Sequence, residues 1–159
     1  MAVDMFLKLD GIEGESKDHK HKGEIELLSF SWGVSNSARA CGATGGGGGT
    51  GKVSVNDFTI VKRVDSVSPQ LMQNCVTGKH ISEGTITVRK AGEKPVEYLK
   101  IKLEEVLISS AQSGGGGATE PMEQVTLNFT RFEVTNLPGG ETSSFDVCAN
   151  EITGNVGNH

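Results

Sequence analysis

The chain has 159 residues, 35% of them hydrophobic, with 15 Lys and Arg against 20 Asp and Glu for a formal net charge of −5. This length provides one domain with its own core and this hydrophobic share argues against disorder, while the acidic balance argues against a general nucleic-acid binder, which needs a basic face. No apolar run is long enough to span a bilayer, and the opening MAVDMFLKLDGIEGES lacks the basic and apolar regions of a signal peptide, so neither membrane insertion nor leader-directed export is expected.

In chain order, Met5 to Leu9 reads as a short strand closed by a turn at Asp10-Gly11, and a polar loop runs on to Gly23. From Ile25 the alternation puts Leu28, Phe30, Trp32 and Val34 on one face, expected to be core, with Ser29, Ser31 and Gly33 on the other. A glycine-rich connection at 42–51 separates this strand from the next, 52–64, making a long hairpin with an oversized loop. Ser68 as cap, Pro69 in the first turn, the apolar set Leu71, Met72, Cys75 and Val76, and Gly78 as terminator predict one short helix lying on the core. Strands resume with Ile86 and Val88 alternating with Thr85, Thr87 and Arg89. The stretch Tyr98 to Ser110 is read as a strand with an irregularity near Glu104-Glu105 that lets Val106 and Ile108 continue the apolar face. After a second glycine-rich loop at 113–118, Val125, Leu127 and Phe129 alternate with Thr126, Asn128 and Thr130, and a last strand holds Phe145 and Val147. The expectation is a single domain over 1–159, mainly β: an antiparallel barrel or sandwich with one short helix at its side.

Chemistry is sparse. Gly46 to Val53 spells Gly-Gly-Gly-Gly-Thr-Gly-Lys-Val, but Val53 stands where a P-loop needs a magnesium-binding hydroxyl, and a strand rather than a helix follows. The run therefore reads as a flexible loop. Cys41, Cys75 and Cys148 are odd in number and widely spaced, so they read as free thiols, with Cys75 expected to be buried on the helix's apolar face. His19 and His21 flank Lys20 in what reads as a solvated loop rather than a metal site, and the carboxylates are scattered as ordinary surface patterning. Trp32 reads as a core residue. No enzyme, cofactor or metal is expected.

The motifs MFLKLDGIEGES, HKHKGEIELLSFSWGVS, GKVSVNDF, SPQLM ending in GKH, TITVRKAG, VEYLKIKLEEVLISS and FDVCANEI follow one another from residue 5 to 152. In that order and spacing the chain resembles the haemolysin-coregulated protein (Hcp) family, the tube subunit of bacterial type VI secretion systems. The resemblance implies a homohexameric ring that stacks into a hollow tube, propelled into a target cell by a contracting sheath with a spike at its tip. It implies small effector proteins held in the lumen and residence in the cytoplasm before export through the apparatus without a signal peptide; no nucleic-acid partner is expected, from the acidic charge balance above. It also implies no enzymatic activity unless a toxin domain is appended, for which 150–159 leaves no room. Phe145 stands where the family has a Trp in the last strand, and Cys41 just before the glycine run is a second departure. On this resemblance Ser29 and Ser31 are candidates to face lumen and cargo, and Cys41, Gly45, Gly46, Gly47, Gly48, Gly49 and Thr50 form the candidate ring-stacking loop. The competing reading, a small-ligand-binding β-barrel without tube assembly, would want exposed aromatics or an acidic metal cluster, and aromatics are only 5% of the chain.

Overall fold

A computed structural model of the chain describes residues 2–37 and 53–148. Eleven strands and one helix follow in order: β1 Val3–Leu9, β2 Ile25–Leu27, β3 Ser29–Ser31, β4 Val34–Asn36, β5 Val53–Val55, β6 Phe58–Arg63, α1 Ser68–Thr77, β7 His80–Lys90, β8 Val96–Gly114, β9 Met122–Asn128, β10 Arg131–Asn136 and β11 Glu141–Asp146. All ladders are antiparallel, in the order β2-β1-β7-β8-β9-β6-β3, with β10 pairing β8 and β11 pairing β10. β4 and β5 form a separate two-stranded ribbon. Among the described residues the ladder does not close into a barrel; of the two expected architectures, the sandwich is the one that fits.

The branch lies in β8, the longest strand. Residues 99–104 pair with β10 and residues 107–114 with β9, and between them Glu105 has φ 51°. A non-glycine residue in that region re-aims the strand, and the buried set changes parity across it, from Ile101 and Leu103 to Val106 and Ile108. The irregularity expected near Glu104-Glu105 is thus present.

The expected continuous strand from Ile25 is instead three short ones. Ile25 and Leu27 are buried while β2 pairs with β1; at Leu28 the chain turns a corner, its N–H bonding Val61 O at 2.7 Å, and β3 pairs with β6. Changing partner shifts the buried face by one residue. Leu28 and Trp32 are consequently only half-buried, and Val34, expected in the core, is 56% exposed. The strand expected over 52–64 breaks in the same way at Asn56-Asp57 into β5 and β6, and the alternation expected through Val125 to Thr130 is interrupted at Phe129-Thr130, between β9 and β10.

The core is aliphatic with an aromatic layer at one end. Phe58 is fully buried and stacks on Phe30 at 5.5 Å and on Trp32 at 5.8 Å; Trp32 meets Phe132 edge-on at 4.8 Å. Trp32 therefore packs on the core as expected, from a half-buried position. α1 starts after Val67, carries Pro69 in its first turn and ends at Gly78, whose φ of 65° suits glycine. It buries Leu71 and Asn74; Met72 and Val76 face solvent and Cys75 is half-buried, contrary to the fully apolar contact face expected for this helix. The buried stripe is narrow because a ten-residue helix resting on one strand presents only one line of contacts.

Candidate functional site

Four strands form a wall whose outward residues are mostly uncharged, Arg63 at the end of β6, ion-paired with Glu120 at 3.0 Å, being the exception. Register pairs align Ser31, Thr59, Thr126 and Ser110 in one row across β3, β6, β9 and β8, and Ser29, Val61, Gln124 and Gln112 in the next. Ser29 and Ser31 are exposed, and the inward neighbours Phe58, Ile60, Val125 and Leu127 are fully buried. Period-two alternation thus sets apolar residues against the core and short polar ones towards solvent. Both candidate serines lie where their pattern placed them, on the open side of this wall. Thr59, Thr126, Ser110, Gln112 and Gln124 join them only through strand pairing. Hydroxyls bond one another along the wall: Ser109 and Ser110 lie 2.7 and 2.6 Å from Thr126 Oγ1. At its end the Ser109 hydroxyl donates to Asp57 at 2.8 Å, as does the Asn128 amide at 3.1 Å. The candidate stacking-loop residues Cys41, Gly45 to Gly49 and Thr50 lie outside the described residues.

The opposite face of the sandwich, on β7, β8 and β10, is charged. Lys102 sits 3.7 Å from both Glu83 and Glu104, and Arg131 lies 3.3 Å from Glu104 and 3.5 Å from Glu133. Part of this side is covered by the 13–24 segment; His19 and Lys20 are exposed, in line with the solvated-loop reading, but His21 is not. His21 is 7% exposed, stacked on Phe6 at 4.5 Å, with Nδ1 2.6 Å from Glu24 and Nε2 2.8 Å from Glu97. Arg89 lies over the Phe6 ring at 4.9 Å and binds Asp4 and Asp18. The Arg89 hydrogen bond, against the opposing effect of burial and with help from the Lys20 and His21 N–H groups, lowers the Asp18 pKa to about 2. The same pairing raises that of Arg89. Gly14 is required where this segment doubles back, because a Cβ there would run into the Glu24 carbonyl.

A second buried charge was also hidden in the pattern. Lys62 is fully buried, and its Nζ donates to Arg63 O and Asp65 Oδ1 at 2.9 Å, Glu123 Oε2 at 3.2 Å and Ser68 Oγ at 3.3 Å. Glu123, expected among surface carboxylates, is 3% exposed because it is the register partner of Lys62 on the core side of the wall. The signal was the parity: Lys62 continues the Phe58, Ile60 series. Ser68, expected as a side-chain cap, serves this cluster instead; its Oγ accepts from the Asp65 N–H at 3.0 Å and hydrogen-bonds Glu123.

Among the described residues no group of three or more His, Cys, Asp or Glu could hold a metal, and no helix is long and apolar enough to cross a membrane. The arrangement is a β-sandwich with one mostly uncharged face and one charged face. The family described as "Type VI secretion system effector, Hcp" matches residues 6–135. The chain is 49% identical to Protein hcp1 of Pseudomonas aeruginosa over 140 residues, 87% of this chain and 85% of that one. The crystal structure of Hcp1 from Salmonella typhimurium matches with a TM-score of 0.82 at 34% identity, covering 96% of this chain and 100% of that one. A type VI secretion system effector from Yersinia pestis matches with a TM-score of 0.77 at 36% identity, over 91% and 100% of the two chains. The chain belongs to the Hcp family, the structural tube proteins of type VI secretion.

Proposed function

We propose that this chain assembles into closed six-membered rings that stack into a hollow tube, with the β3-β6-β9-β8 wall lining the channel and small effector proteins held against it. One observation carries the reading: the wall has two unlike free edges. Among the described residues β3 pairs only with β6, and residues 108–114 of β8 pair only with β9. A ring is built from heterologous contacts, which use two different patches per subunit. Pairing the β8 edge of one copy with the β3 edge of the next would continue the sheet round the ring and satisfy both rows of backbone groups. Ser29, Ser31 and the hydroxyl row then line the channel, where short side chains leave room and offer hydrogen bonds to cargo.

The 42–51 loop, with Cys41, Gly45 to Gly49 and Thr50, joins successive rings; the entropy lost when glycines order keeps that joint breakable. A contracting sheath drives the tube, tipped by a spike, from the cytoplasm into the target cell. Multi-angle light scattering should report six times the 16.8 kDa chain. A monomer throughout the micromolar range refutes ring formation. Ser31→Gln should preserve the hexamer and weaken cargo retention, since the added bulk repeats in every subunit; retention equal to the parent's removes Ser31 from the channel wall.

A further inference from the structure

The outer face of α1 is unlike that of an ordinary surface helix. Its ten residues, Ser68–Thr77, include no charged side chain, and Met72 and Val76, one turn apart, are 48% and 77% exposed. Depletion of charge with Met and aliphatic groups outermost is the composition of an interface centre. A second uncharged, partly apolar surface lies on the β4–β5 ribbon. All three residues of β4 are exposed, Val34 by 56%, and among the described residues the ribbon pairs with no other strand. A two-stranded ribbon is marginal by itself and gains most from packing against another element.

Strand register brings these two surfaces together between copies. β3, β6, β9 and β8 alternate in direction, so β3 of one copy runs antiparallel to β8 of the next when their free edges meet. Continuing the row that holds Ser31 and Ser110 sets Ser31 against Ser110 of the next copy, and the residues after Ser31 then travel towards Leu107. There the edge is closed, because Leu107 is paired with His80, the first residue of β7. The incoming chain has to leave the wall at that point. It does: β3 ends at Ser31, and β4 belongs to the separate ribbon. What stands beside His80 is the end of α1, joined to it by Gly78 and Lys79 alone, with the helix packed on β8.

We infer, resting on the ring reading above, that the β4–β5 ribbon of one copy packs through Val34 on the Met72–Val76 face of α1 in the next. The contact uses two different patches per subunit, as a closed ring requires. It adds apolar burial to the backbone hydrogen bonds of the joined edges, and it fixes their register, because a slip of the strand pairing would carry Val34 off the helix.

The test uses Val34→Asp and Val76→Asp in the full chain, at positions exposed enough to take a charge without loss of fold, which melting checks. By light scattering each should raise the subunit concentration at half-assembly by about tenfold, the effect of losing one buried valine side chain. Val96→Asp, at a valine 50% exposed at the opposite end of β8, should leave assembly unchanged. In a background of Cys41→Ser, Cys75→Ala and Cys148→Ser, a chain carrying Val34→Cys and Val76→Cys should react with a short bis-maleimide to give a denaturing-gel ladder that stops at six. A monomeric parent removes the ring reading and this contact with it. A hexameric parent whose Val34→Asp and Val76→Asp variants assemble normally, an equal loss in Val96→Asp, or cross-links confined to single chains overturns this contact and leaves the ring standing. A ladder running beyond six overturns it too, because the ribbon would then bridge stacked rings.

Discussion

Replacing Lys62 with Met tests whether the buried charge cluster holds the wall to the helix. The ammonium is fully buried among four acceptors, and the carboxylates facing it are 3% exposed in Glu123 and 16% exposed in Asp65. Without Lys62, Asp65 keeps the Val67 N–H at 3.1 Å and some water, but Glu123 keeps only Ser68 as a described side-chain partner. Removing one partner of a buried pair typically costs about 3–5 kcal/mol, most of it the charge left uncompensated, and for a chain of this size that lowers the midpoint by about 10 °C. The double replacement Lys62→Met with Glu123→Leu removes both charges and should recover most of the loss, since a well-packed apolar pair is often neutral or better. Urea unfolding at pH 7 and one fixed protein concentration measures the parent, Lys62→Met, Glu123→Leu and the double variant, the concentration being held because assembly would add to stability. A cost below about 1 kcal/mol for the single variant, or a double variant as unstable as the summed singles, refutes the reasoning.

The Asp18–Arg89 pair makes a pH prediction. Because folding lowers the Asp18 pKa from 3.8 to about 2, its contribution is fully present above the ordinary aspartate range and is lost as pH falls from about 4 towards 2. Asp18→Asn should flatten the acid limb of the stability profile there, and an unchanged slope would contradict the assignment. For the thiols, iodoacetamide should modify exposed Cys148 well before half-buried Cys75, with Cys41 also expected ahead of Cys75; equal rates would count against this order. Deleting Gly45 to Gly49 should leave rings intact by light scattering and shorten stacks seen by electron microscopy. Loss of the hexamer itself would move that loop into the ring contact.

The sequence by itself determined the strand-rich class, the single helix with its Pro69 start and Gly78 stop, the kink near Glu105 and the outward side of Ser29 and Ser31. These follow from local rules: period-two alternation, turn and cap chemistry, and a change of parity within one strand. The tertiary structure decided what depends on partners distant in sequence. Where β2–β3 changes neighbour from β1 to β6, the alternation read through Leu28 to Val34 loses its phase, so Val34 comes out to solvent. His21 and Arg89 look like solvated polar residues until the 13–24 segment folds over β7, and Lys62 looks like a surface lysine until strand pairing sets it against Glu123. The hydroxyl row through Ser31, Thr59, Thr126 and Ser110 is likewise invisible in any one segment. Each strand contributes one or two members, and only long-range register, set by burial of the opposite face and closed at the cost of loop entropy, brings them into line.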